Sequence, residues 1–243
     1  MLVPGLQLFG TALCALRLLS TRTAPVMVSL THLQAVSNTY CHSAAATPED
    51  WKNASSIYDF TVKDINGQDV SLEKYRNHIA IVVNVASKCG LTPTNYKELA
   101  ELHDNFAESK GLRILAFPCN QFNGQEPGNS EEIVCFARSK NAKFDMFEKI
   151  DVNGSNAHPL WKYLKHKQGG TLGDFIKWNF TKFIIDKNGQ PVERHGPNVD
   201  PSAHAMRACF LISALDGGHY SACFGWYTPR ERVPVLTGGA AHN

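Results

Sequence analysis

Apolar positions along the middle of the chain fall into two rhythms. HIAIVVNVAS (residues 78–87) is an almost unbroken run rich in β-branched residues, and GLRILAFP (residues 111–118) repeats it. Short continuous runs of this kind predict buried strands. Between them NYKELAELHDNFAESK places Tyr96, Leu99, Leu102 and Phe106 three or four residues apart, which predicts a helix over about 93–109. NSEEIVCFARSK, with Ser130 and Glu132 near its start, and HPLWKYLKHK predict two more helices. IYDFTVKDINGQDVSL and TKFIIDKNGQPVERH each set an Asn-Gly pair, Asn66-Gly67 and Asn188-Gly189, between short apolar runs, a strong hairpin signal.

In order, these elements predict a three-layer α/β domain over residues 50–202. The architecture is a thioredoxin-like fold: a central mixed β-sheet flanked by helices, with an N-terminal β-hairpin. Composition changes the picture at both ends. Residues 1–48 contain no Asp, Glu or Lys but hold Arg17 and Arg22 among many Ser, Thr, Ala and Leu. That is the make-up of a mitochondrial presequence. A secretory signal is the rival reading, disfavoured because no basic residue precedes the apolar stretch; a start at Met27 would give a cytoplasmic product. Residues 203–243 are rich in Ala, Gly and aromatics with weak periodicity, and allow a helix over about 203–215.

The formal net charge of +2 is too mild to imply nucleic-acid binding. Seven cysteines without a Cys-x-x-Cys pair or finger-like Cys/His spacing argue against a disulfide scaffold or a metal site. One cysteine is placed unusually. In NVASKCGLTP, Cys89 follows the first strand and precedes the first helix, so a helix N-terminus and Lys88 both favour negative charge on its sulfur. A small buried hydrophobe is the plainer reading of a lone cysteine. The reactive reading points to a thiol peroxidase rather than a dithiol oxidoreductase, because no second cysteine lies two residues away.

NVASKCG, LAFPCNQFNGQEPG, FDMFEKIDVNG, AHPLWKYLK and IKWNFTKFIIDKNGQPVERHGP together resemble the signature blocks of the glutathione peroxidase family, and most resemble its phospholipid-hydroperoxide branch. The resemblance covers about residues 50–201. It implies a catalytic set of Cys89, Gln125, Trp178 and Asn179, with Cys119 a bystander. It also implies an enzyme that reduces lipid hydroperoxides and hydrogen peroxide to alcohols and water, with no cofactor and with glutathione or thioredoxin as reducing co-substrate. The sequence writes cysteine at 89, where many animal relatives carry selenocysteine.

Cysteine-type relatives often use a resolving cysteine after the Gln block. Cys135 lies in that region without a spacing that fixes it as equivalent, so a resolving thiol and an ordinary helix cysteine both stand. The short link GGTLGDF, where tetrameric relatives carry an insertion, implies a monomer with an open site. Lys88, Lys177, Lys182 and Arg194 then form an expected basic rim facing a peripheral membrane surface or glutathione. The competing function is a redox sensor that forms mixed disulfides with partners and does not turn over.

Overall fold

The computed structural model describes residues 50–170 and 173–203. They belong to the unit spanning His42–Asn243. The expected presequence and, Ala203 apart, the atypical C-terminal segment with its expected helix lie outside the described residues.

The first Asn-Gly pair closes the hairpin of β1 (Thr61–Lys63) and β2 (Asp69–Ser71). The main sheet contains β3 (Ala80–Val85), β4 (Arg113–Pro118), β5 (Asp145–Met146), β6 (Lys182–Ile185) and β7 (Pro191–His195), in the order β5-β4-β3-β6-β7. β3 runs parallel to β4 and β4 parallel to β5; β6 and β7 are antiparallel additions on the other side. The sheet is mixed, as the pattern predicts.

All six residues of β3 are buried, because each face of the strand meets a different layer. Ile81, Val83 and Val85 join Tyr96, Leu99 and Leu102 of α1 (Thr92–Lys110) and Ala137 of α2 (Ser130–Ser139). Ala80 and Val82 face Leu160, Trp161 and Leu164 of α3 (Pro159–Lys167), with Phe60, Leu72 and Tyr75 from the N-terminal segment. The period-two alternation of a strand therefore assigns neighbouring residues to opposite cores. Phe117 and Phe147 stack at 4.5 Å, and Trp161 meets the edges of Phe117 and Phe183.

Helix ends follow the local chemistry. At α2, Asn129 accepts from the Glu132 N–H while the Glu132 carboxylate accepts from the Asn129 N–H, a reciprocal capping box. At α3, His158 is the cap: its Nδ1 accepts from the Leu160 N–H at 3.2 Å. Burial, with Lys162 nearby, pushes the His158 pKa down to about 4 from its ordinary 6.5. One strand was missed by sequence reading. FDMF contributes β5, too short to show an alternation but paired parallel to Leu115 and Ala116.

Gly189, in the β6–β7 turn, has φ +78°, and an added Cβ would lie 2.7 Å from the Tyr58 ring. Its carbonyl also accepts from the Ile57 N–H. Gly189→Ala therefore lowers stability by about 1–3 kcal/mol, seen as a lower urea midpoint with unchanged slope. The neutral His158 cap sets a pH dependence. The unfolded histidine takes up a proton near pH 6.5 and the folded one only near pH 4, so stability falls as pH drops through that window. His158→Asn keeps an acceptor at the cap and flattens the dependence of the urea midpoint between those pH values.

Candidate active site

Where β3 leaves the sheet the chain turns sharply into α1, and Cys89 stands on that turn. The Thr92 N–H donates to the Cys89 carbonyl at 3.0 Å, and the Thr92 hydroxyl to the Ala86 carbonyl at 2.6 Å. From the opposite side the Lys88 N–H donates to the Gln125 carbonyl at 3.0 Å. α1 starts without a side-chain cap, its N-cap residue being Leu91. The Leu91 N–H donates instead to Cys89 Sγ at 3.5 Å. Charge on that sulfur thus meets the positive end of a 19-residue helix. The side chain is buried, at 6% exposure, and packs in the cluster that also holds Tyr96 and Phe180.

Gln125 reaches the site on the loop between β4 and α2. Asn123 and Gly124, both with positive φ, make the turn just before it, and the Glu126 N–H donates to Asn120 Oδ1 at 2.9 Å. Gln121 anchors the same loop: its Oε1 accepts from the Val152 and Asn153 N–H groups.

Trp178 and Asn179 lead into β6. Trp178 is half-buried, touches both apolar clusters and lies 5.8 Å from the Phe122 ring. Asn179 is fully buried, and its Nδ2 donates to Gln125 Oε1 at 2.8 Å. The other Asn179 amide atom, Oδ1, has no hydrogen-bond partner among the described residues. An acceptor left without a donor inside the protein is unusual for a buried amide. The turn is strained at Phe180, a buried aromatic with φ +63°, a conformation costing about 1–2 kcal/mol for a residue with a side chain.

The structure thus joins Gln125 to Asn179 directly, and places Cys89 and Trp178 on one apolar cluster. Asn179 and Thr181, which form a glycosylation sequon, are both buried and leave no room for a glycan.

The four side chains expected to form a basic rim do not share one setting. Lys88 and Lys177 are exposed. Lys182 is not on the surface: it is fully buried on β6, its Nζ donates to the Val199 carbonyl at 2.8 Å, and burial pushes its pKa down to about 8. An amphipathic strand reading cannot reveal this, because Lys182 occupies a position that pairs with Val83 in the middle of the sheet. Arg194 is half-buried and spends its guanidinium on the carbonyls of Gln168, Asp174 and Phe175, so its charge is turned inward to the backbone and away from a surface rim.

Cys135 lies on the exposed face of α2, whereas Ile133 and Ala137 point inward. Cys119 is buried, and burial pushes its thiol pKa up. Sequence reading missed Glu126. Its side chain is fully buried and its pKa is raised by that burial; the Ser87 hydroxyl and N–H pull the other way without reaching hydrogen-bonding geometry. It lines, with Ser87, Lys88, Ile133 and Phe136, a cleft of about 380 Å³ beside the Cys89 turn. Its place next to Gln125 was the one available signal.

Comparison with known proteins points to one family. The family model described as glutathione peroxidase matches residues 57–165. The phospholipid hydroperoxide glutathione peroxidase of Callithrix jacchus is 58% identical over 158 residues, covering 64% of this chain and 80% of that one. A glutathione peroxidase of Schistosoma mansoni is 58% identical over 151 residues, 62% of this chain and 89% of its own. Among solved structures, T. cruzi GPX1 superposes with a TM-score of 0.55 at 36% identity, over 65% of this chain and 97% of that one.

Proposed function

The chain belongs to the glutathione peroxidase family, and from that premise we propose that it reduces organic and phospholipid hydroperoxides, and hydrogen peroxide, through Cys89. The observation that carries the reading is the joined pair Gln125–Asn179 beside a cysteine at a helix N-terminus.

The reaction runs in three steps. The Cys89 thiolate attacks the outer oxygen of the hydroperoxide, the O–O bond breaks, and the departing alkoxide takes a proton to leave as alcohol, with the sulfur oxidised to a sulfenic acid. A first thiol displaces water and forms a mixed disulfide with Cys89. A second thiol attacks that disulfide and returns the Cys89 thiolate. Amide donors from Gln125 and the Trp178 indole N–H stabilise charge on the departing oxygen, because donors already aimed at it need no reorganisation as the charge develops.

Glutathione is the reductant that family membership supports. Within that frame Cys135 is the candidate for an internal route. Its exposed thiol would attack the sulfenic acid only after part of α2 unwinds, since a disulfide needs Cα atoms within about 7 Å and inward-facing Cβ vectors. The resulting disulfide suits reduction by thioredoxin. Two exposed lysines, Lys88 and Lys177, support approach to an anionic lipid surface. The sensor reading is the weaker one, since a sensor needs a reactive thiol but has no use for the Gln125–Asn179 pair, which the bond between the two amides supports as part of a peroxidase site.

Cys89→Ser removes peroxidase activity while urea unfolding stays cooperative; persistence of activity would exclude Cys89 as nucleophile. Gln125→Ala slows oxidation of Cys89 by at least about tenfold, since loss of one aligned donor commonly costs a hundredfold or more. An unchanged rate would detach Gln125 from the chemistry. Cys135→Ser separates the reductants: it abolishes thioredoxin-supported turnover and spares glutathione-supported turnover if the internal disulfide forms. Equal activity of this variant with both reductants would remove Cys135 from the cycle.

A further inference from the structure

Asn84 is the one polar side chain in the run IAIVVNVA, and it is fully buried at the centre of the sheet. An amide in that setting requires partners on both its oxygen and its nitrogen. It finds them on a single turn. Asn84 Oδ1 accepts from the Thr181 N–H at 2.9 Å, and Asn84 Nδ2 donates to the Trp178 carbonyl at 3.2 Å. Its main chain holds the same turn: the Asn84 carbonyl accepts from the Phe180 N–H at 2.7 Å, and the Asn84 N–H donates to the Thr181 carbonyl at 3.4 Å. The Thr181 hydroxyl adds a second donor to the Trp178 carbonyl at 3.2 Å.

These bonds, to Trp178 on one side and Thr181 on the other, bracket Asn179 and Phe180 and hold the left-handed backbone of Phe180. The strand that carries Asn84 also runs into the turn that presents Cys89. One strand therefore fixes the nucleophile through its covalent continuation and the opposing side chains through Asn84.

We propose that Asn84 is a positioning residue for peroxide reduction, a clamp that sets Trp178 and Asn179 against Cys89. The proposal rests on the reading of Cys89 as the peroxidatic residue. Asn84 does not touch the reacting atoms; it acts through the Trp178 carbonyl and the Thr181 N–H. Its effect accordingly falls on the oxidation step, where those side chains meet the departing oxygen, and not on reduction of the mixed disulfide.

Asn84→Asp in the full chain tests this. The substitution keeps the acceptor for the Thr181 N–H and turns the donor facing the Trp178 carbonyl into a repelling oxygen. Stopped-flow tryptophan fluorescence gives the rate of Cys89 oxidation by hydrogen peroxide, and a separate mixing experiment gives the rate of reduction of the glutathionylated enzyme. The clamp predicts a fall of about tenfold or more in oxidation at pH 7.5, with reduction within about twofold of the wild type. The gap in oxidation rate between wild type and variant narrows as pH is lowered and the new carboxyl regains a donor proton. Thr181→Val, which removes only the second donor to the Trp178 carbonyl, shows a smaller loss in the same step and supplies the test if Asn84→Asp does not fold. Equal losses in both half-reactions, or oxidation at the wild-type rate in a folded variant, would overturn the clamp. Those outcomes leave the function standing; wild-type protein whose Cys89 does not react with peroxide would instead overturn the function itself.

Discussion

Everything at the site depends on the double pairing of β3. The strand is bonded to β4 on one side and to β6 on the other, and no residue of it reaches solvent. Its neighbours carry the remaining site residues: the chain leaves β4 into the Gln125 loop and enters β6 from Trp178 and Asn179. Three adjacent strands thus deliver four side chains to one end of the sheet, and the hydrogen-bonded ladder sets their spacing. A slip of one residue in β3 would exchange its two cores and turn Val83 and Val85 away from α1.

Much of this was legible in the sequence because it is periodic or chemically unusual. The run around Val82, the spacing of Tyr96, Leu99 and Leu102, and the two Asn-Gly turns are local signals, and each produced the expected element. β5 was not legible, since two residues paired only by tertiary contact carry no pattern. Lys182 and Glu126 show a different limit. A charged letter reads as surface, and only the assembled sheet shows that Lys182 is satisfied by the Val199 carbonyl while Glu126 is enclosed beside Ser87. Within the site, the meeting of Gln125 and Asn179 was implied by resemblance alone; 54 residues separate them in the chain. The bonds from Asn84 were invisible for the same reason, although an amide inside an apolar strand was itself an anomaly in plain view.

The cysteines illustrate how position separates reactivity from access. Cys135 is open to solvent on a helix face, and Cys119 is enclosed in an apolar core that favours its neutral thiol. Cys89 is nearly enclosed too, yet it sits at the start of α1 and accepts the Leu91 N–H. Exposure alone would rank Cys135 as the first thiol to oxidise; the proposed function ranks Cys89 first, on the Leu91 N–H donor and the helix end beside its sulfur.

That opposition makes the decisive measurement simple. The protein is mixed with one equivalent of an organic hydroperoxide, sulfenic acid is trapped with dimedone, and the adduct is mapped by peptide mass spectrometry. A site built around Cys89 predicts that the adduct is confined to Cys89 and forms before any modification of Cys135. Modification that follows exposure, with Cys135 labelled first and Cys89 left as thiol, would contradict the account.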